Sequence, residues 1–216
     1  MEITWLGHSC FRIRGKDVAI VLDPFDRATG FPIAKVAADI VLVSHNHPGH
    51  NNVTAITGTP RVLSGPGEYE IKGVPITGVA TPHDGEGGRK RGRNIAWSFQ
   101  FEDINICHLG DLGSTLSTEQ VEAIGNVDIL LVPVGGHNTI NATQATDIMT
   151  TLEPKVVIPM HYASEIKRDD VQLDSVEPFL RQHNAIDHKP QPKYTITKSN
   201  LPEDLQVVLM EYRKTI

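Results

Sequence analysis

Short apolar runs broken by glycine and polar pairs dominate the first quarter of the chain. Residues 3–6, 10–14 and 18–22 read as β-strands, separated by Gly7 and by Gly15-Lys16-Asp17. After an irregular stretch rich in Gly, Pro and Ala, residues 39–44 are predicted as another strand. Residues 62–63, 69–72 and 74–80 alternate with Gly and Pro and continue the β pattern. Residues 81–93 form a polar loop. Beyond it, 95–101 and 104–108 are expected to pair as strands joined at Glu102-Asp103.

The periodicity then changes. Ser117 with Gln120 makes a capping box in front of a short helix ending near Gly125. Residues 128–132 read as a buried strand, 142–152 as a helix stopped by Pro154, and 156–159 as a strand. Residues 169–183 are predicted helical with a break near Pro178, and 195–197 and 205–210 close the chain as strands. Many β elements followed by alternating β and α predict mixed sheets covered by helices, an α/β or α+β class. No low-complexity linker divides the chain, so residues 1–216 are expected to form one domain.

Composition narrows this picture. With 39% apolar and 21% charged residues, the chain has the balance of a folded protein rather than a disordered one. No apolar run approaches the ~18 residues that a membrane helix needs, and Met1-Glu2-Ile3-Thr4-Trp5 has no charged leader, so no signal peptide is expected. Two cysteines, Cys10 and Cys107, cannot make a disulfide framework and point to reduced thiols in the cytoplasm. A net charge of -6 argues against a protein that coats nucleic acid, leaving nucleic acid only as a substrate. Ten histidines against 20 Lys+Arg is the odd figure.

Position explains that surplus. The apolar run ending at Val43 leads into Ser44-His45-Asn46-His47-Pro48-Gly49-His50, with three histidines in six positions. In extended backbone His45 and His47 project to the same side. His50, beyond the Pro-Gly turn, can fold toward the same point or toward a second one nearby. Imidazoles gathered at a strand end suit a divalent transition metal. His83, Asp111 and His161 also stand at ends of apolar runs, and Asp111 is flanked by glycines that permit close approach of backbone to a ligand. Together these suggest one assembled site. Cys107 neighbours His108, but strand neighbours face opposite ways, so Cys107 is assigned to the core.

In this order, Asp23, the His-x-His-x-x-His stretch, His83, Asp111 and His161 resemble the metallo-β-lactamase superfamily. Trp5-Leu6-Gly7-His8-Ser9 and the Leu109-Gly110-Asp111 context resemble its ascorbate-6-phosphate lactonase-like branch of Zn-dependent hydrolases. The resemblance spans nearly the whole chain and implies a four-layer αβ/βα sandwich with metals at the sheet edges. It implies that His45, His47 and His83 hold one metal, that His50 and His161 hold a second, and that Asp111 bridges. Asp23 would orient a ligating histidine.

One position departs from that pattern. The family motif is His-x-His-x-Asp-His, and Gly49 stands where its aspartate belongs. Two readings stand side by side. Either Asp84, next to His83, supplies the carboxylate, or the second metal is held weakly; Asp84 also reads as a solvated loop acid. The expected cofactor is Zn or Mn, one or two ions. Such an ion lowers the pKa of its water toward ~7, and the resulting hydroxide attacks a carbonyl or phosphoryl centre. Neither a Gly-x-Ser-x-Gly elbow nor a P-loop offers another chemistry.

Arg89, Lys90, Arg91 and Arg93 crowd the loop after His83, where guanidinium groups suit a phosphate or carboxylate, although a solvated loop or a subunit contact explains them as well. His137 precedes the helix at Ala142, whose free N–H groups can meet an anion, and reads either as a pocket acid/base or as a loop residue. His8 is expected on the pocket floor, and His183 and His188 on the surface. The expected function is hydrolysis of a small anionic ester, lactone or phosphodiester. The alternatives are a phosphodiesterase acting on nucleotides or short nucleic acids, or a degenerate, non-catalytic member that binds metal or ligand. Homo-oligomerisation is left open.

Overall fold

Period-two alternation sorts the strand residues into separate apolar layers, and that sorting builds the fold. The computed structural model describes residues 1–32, 35–166 and 172–213. The chain opens with β1 (Glu2–Gly7), β2 (Cys10–Arg14), β3 (Ala19–Leu22), β4 (Val36–Ala37) and β5 (Ile40–Leu42). Next come β6 (Ile56–Thr57), β7 (Arg61–Leu63), β8 (Gly67–Ile71), β9 (Val74–Pro82), β10 (Arg93–Phe101) and β11 (Ile104–His108). Then α1 (Thr118–Ile124), β12 (Ile129–Pro133), α2 (Ala142–Leu152), β13 (Val156–Met160), α3 (Glu177–Gln182), β14 (Tyr194–Thr195) and β15 (Gln206–Val207) complete it.

One sheet has the order β14-β1-β2-β3-β5-β7 and the other β15-β13-β12-β11-β10-β9-β8, while β4 and β6 form a separate short ladder. Both main sheets are mixed: β1 to β3 and β8 to β11 pair antiparallel, and β3-β5-β7 and β11-β12-β13-β15 pair parallel. Ile20, Leu22, Ile40 and Leu42 of the first sheet pack against Ile104, Ile106, Ile129, Leu131, Val156 and Ile158 of the second. The intervening residues face outward. Leu130, Val132 and Val157 meet Ala145, Ile148, Met149 and Phe179 of the helices, whereas Val21, Val41 and Val43 meet Phe25, Phe31 and Val36.

This is the αβ/βα sandwich expected from the resemblance, with unequal outer layers. Among the described residues, the outer face of the first sheet is covered by the β4–β6 ladder, by Phe25 and Phe31, and by the 3₁₀ turn at Val53–Ala55. The α-helices lie on the second sheet. Both capping boxes that begin α1 and α2 are formed, Ser117 with Gln120 and Asn141 with Gln144. Cys107 is fully buried in the helical layer, as its strand parity predicts.

Other boundaries shift for identifiable reasons. The helix expected over 169–183 is α3 alone. Pro178 stands in its first turn, where a missing N–H costs nothing, so it starts the helix rather than breaking it. Residues 169–171 of that expectation lie outside the described residues. The strand expected over 205–210 pairs only at Gln206 and Val207, with a separate bridge from Met210 to Gln191.

Candidate metal centre

Several apolar strands deliver polar residues to one edge of the sandwich. Asp23 follows β3, residues 44–50 lie beyond β5, His83 follows β9, Asp111 lies beyond β11, and His161 follows β13. Four imidazoles then converge on one carboxylate oxygen. Asp111 Oδ2 lies 3.2 Å from His50 Nε2, 3.3 Å from His161 Nε2, 3.8 Å from His83 Nε2 and 3.9 Å from His45 Nε2. His47 joins through His83, its Nδ1 being 3.3 Å from His83 Nε2. Half-buried His47 marks the solvent side, while His45, His50, His83, Asp111 and His161 are buried.

Extended alternation is not what brings His45 and His47 together. β5 stops at Leu42, and the chain then makes two successive tight turns: His47 N–H donates to His45 O (3.1 Å) and His50 N–H to His47 O (2.9 Å). Pro48 has no N–H to offer a sheet ladder, so a turn is the better use of this segment. The turn is fastened to the chain beyond β3, with Asp26 N–H donating to Pro48 O (3.0 Å) and Asn52 N–H to Pro24 O (2.7 Å).

Asp23 sets the orientation of two rings. Its Oδ1 accepts from Ser44 N–H (2.7 Å), and its Oδ2 accepts from Ser44 Oγ (2.6 Å) and His50 Nδ1 (2.8 Å). With its proton given to Asp23, Ser44 Oγ accepts from His45 Nδ1 at 2.9 Å. That fixes the tautomer, leaving His45 Nε2 as a lone pair aimed into the cluster. The same atom is buried without a hydrogen-bond partner. His50 donates from Nδ1 to Asp23 and points its Nε2 at Asp111 Oδ2, 3.2 Å away, so this carboxylate draws either a proton or a divalent ion to that nitrogen.

Three residues at this edge, His8, Asp23 and His161, have φ of +54°, +44° and +51°. Left-handed backbone at non-glycine residues costs about 1–3 kcal/mol each and persists where surrounding structure enforces it. Here Trp5 Nε1–H (3.0 Å) and His161 N–H (3.2 Å) both donate to His8 O. The His8 ring packs edge-on against His50 and His161, with centroids 4.8 Å and 4.5 Å away.

The electrostatics follow from burial and these pairings. Burial and neighbouring imidazolium charge press the His45 pKa down to about 2. Burial also depresses His50, but the carboxylates of Asp111 and Asp23 on its two nitrogens outweigh it and raise the pKa to about 10. Burial pushes Asp111 up, yet His161 and His50 hold it well below the usual carboxylate range. Both thiols are inert: burial drives Cys107 up to about 12 and Cys10 well above its ordinary value.

Asp84 is not part of this cluster. Its Oδ1 accepts from the N–H groups of Glu86 (2.8 Å) and Gly88 (2.9 Å), and its Oδ2 from those of Lys90 (2.9 Å) and Arg91 (2.8 Å). Against the upward pull of burial, these donors hold its pKa down to about 2. The reading of Asp84 as a substitute metal ligand is therefore corrected: its oxygens are committed to shaping its own loop. That loop carries exposed Arg89 and Arg91, with exposed Arg93 opening β10, and the Arg91 charge adds to the burial that depresses both His47 and His83.

His137 stands outside the cluster, exposed and 3.4 Å from Asp174. At the helix start beyond it, Asn141 Oδ1 accepts from Gln144 N–H (3.0 Å). His183 is half-buried against Phe179 and Thr146, and His188 is exposed. Sequence reasoning missed Ser44, Asn94 and His108. Buried Asn94 accepts from Asp111 N–H (2.9 Å) and donates to Leu109 O (2.8 Å) and Thr81 Oγ1 (2.8 Å). His108 donates through Nε2 to Ser9 O (2.8 Å) and accepts from Gly110 N–H (3.2 Å), tying the β1–β2 turn to the approach to Asp111. Ser44 had a signal in adjoining His45; Asn94 had none.

The residues present fit divalent ions. His45, His47 and His83 place one ligand atom each within 4.8 Å of one another, as do His45, His50 and Asp111, and also His8, His50 and His161. The buried His45 Nε2, which faces Asp111 without a hydrogen-bond partner, is what a histidine cluster shows when its partner is an ion.

Comparison with known proteins agrees with this geometry. A family model described as a beta-lactamase superfamily domain matches residues 2–161. A UPF0173 metal-dependent hydrolase of Thermoplasma volcanium is 31% identical over 89% of this chain and 98% of its own. A crystal structure from Thermotoga maritima, described as a Zn-dependent hydrolase of the metallo-beta-lactamase superfamily, superposes with a TM-score of 0.79 at 38% identity, covering 97% of each chain. A metallo hydrolase from Ignicoccus hospitalis shares the fold alone, with a TM-score of 0.64 at 20% identity over 91% of this chain and 99% of that one.

Proposed function

Because the chain belongs to the metallo-β-lactamase superfamily and to its UPF0173 metal-dependent hydrolases, we propose that it hydrolyses a small anionic ester, lactone or phosphodiester using Zn or Mn. The observation that carries this reading is the convergence of four histidine Nε2 atoms on Asp111 Oδ2. His45, His47 and His83 would hold one ion, His50 and His161 a second, with Asp111 between them. Ions there would acidify water and polarise the scissile oxygen.

The chain's own residues do the positioning. Asp23 and Ser44 hold His50 and His45 in their tautomers. Asn94 holds the Asp111 backbone, and Ser9 Oγ donates to Asp111 Oδ1 at 3.4 Å. Arg91, with Arg89 on the same loop and Arg93 opening β10, supplies positive charge beside the half-buried His47, which favours an anionic substrate. The buried thiols suit a reducing, cytoplasmic setting, and among the described residues no helix is long and apolar enough to cross a membrane.

Protein loaded with Zn or Mn and offered a panel of lactones, carboxylate esters and phosphodiesters tests the assignment. Turnover is expected to favour anionic over neutral members of each class and to stop on chelation. Equal rates on neutral and anionic members, or rates indifferent to chelator, contradict it.

A further inference from the structure

The family motif places an aspartate where this chain has Gly49, and the structure shows what occupies that space. A Cβ built on Gly49 would lie 3.0 Å from His8 Cε1, 3.5 Å from His8 Nδ1 and 3.6 Å from His8 Nε2. The His8 ring thus stands where a side chain at position 49 would project. It arrives from the β1–β2 turn, far away in sequence, and it is buried. With His50 and His161 it offers three ligand atoms within 4.8 Å of one another.

We propose that His8 replaces the motif aspartate as a ligand of the second ion, giving a His8–His50–His161 site joined to the His45–His47–His83 site through Asp111. This rests on the metal-dependent reading above and names the group that completes its second half. The backbone is built for the purpose: His8 is held at φ +54°, and its carbonyl accepts both the Trp5 indole N–H (3.0 Å) and the backbone N–H of His161, itself a ligand of the same site (3.2 Å). The left-handed residue and the ligand thus brace each other.

Glycine at 49 and histidine at 8 are one device. A side chain at 49 would crowd the ring, and an imidazole in place of a carboxylate leaves the second ion with one negative charge fewer. Imidazole ligands suit Zn, while oxygen donors suit Mn. With His8 in place of the motif aspartate, the second position favours Zn over Mn more than it would with that carboxylate.

Apo-protein reloaded with Zn2+, freed of excess and assayed by elemental analysis tests this, with Co2+ absorption as a second probe. Wild type is expected to hold two ions per chain. His8→Phe keeps a ring against His50 and His161 but offers no nitrogen. It is expected to hold one ion, the second weakened by more than the ~10–100-fold that loss of an outer partner costs. His8→Ala should behave alike, and adding Gly49→Asp to it should restore the second ion and its Co2+ band. Retention of the first ion by each variant reports that the fold survives. A His8→Phe chain that binds two zinc ions as tightly as wild type overturns the proposal while leaving the metal-dependent reading intact. A wild-type chain that takes up no zinc overturns both.

Discussion

Two loops meet at the same edge of the sandwich and spend their polar groups in opposite ways. Residues 44–50 direct theirs into the site: Ser44 bridges Asp23 to His45, and His50 spans Asp23 and Asp111. Residues 84–93 turn theirs on themselves, with Asp84 accepting four backbone N–H groups from its own loop. Three acids flank the centre, and only their partners distinguish them. Asp111 collects imidazoles, Asp23 orients them, and Asp84 shapes the loop that presents Arg91. Closeness in sequence to a candidate metal ligand is thus no guide to an acid's role; the number of N–H and O–H donors it already accepts is.

Substitutions can break this contrast in graded fashion. The largest effect is expected at Asp111, where the four nitrogens converge. Asp111→Ala, assayed by elemental analysis and steady-state kinetics, should empty the site and lower kcat/KM by roughly 10³-fold, the rate equivalent of several kcal/mol of charge stabilisation. His47→Ala should likewise abolish metal retention and activity. Asp23→Ala touches no ion but frees both His50 and His45, so metal titration should show a weakening of ~10–100-fold. A change below twofold would mean that the Asp23–Ser44 relay does not orient the rings.

Asp84→Ala sharpens the comparison from the other loop. Metal content should stay at the wild-type value while kcat/KM on an anionic substrate falls roughly tenfold, about the worth of one charge-assisted contact. Loss of an ion in this variant would return Asp84 to the ligand set. Arg91→Ala should raise KM by a similar factor, and the difference from wild type should shrink as salt screens the attraction. Arg89 is exposed and its Nε–H donates to Glu86 O at 3.1 Å. Its replacement by Ala should change KM by less than about twofold, the smallest effect in the series.

The fold was legible wherever short apolar runs bounded by turn residues form strands whose side chains alternate between layers. Ile20, Val21 and Leu22, or Ile129, Leu130 and Leu131, divide between layers as the period demands, and the capping box of α1 could be read directly. The short β4–β6 ladder left no comparable trace, because two-residue pairs have no period. In the site, His45, His47, His50, His83, Asp111 and His161 were identifiable because each ends an apolar run or sits in one short motif. Asn94 and His108 were not, since they join backbone positions that meet only after the sheets pack. His8 was legible only as a residue of the pocket floor. Its relation to Gly49 is a matter of space between the β1–β2 turn and the turn after β5, and no spacing rule encodes it.

Elemental analysis of protein purified without chelator tests the central claim most directly. The account predicts two divalent ions per chain, lost together with activity on chelation and regained on adding Zn2+. Less than one ion per chain, after incubation with excess Zn2+ and removal of what is unbound, would contradict it.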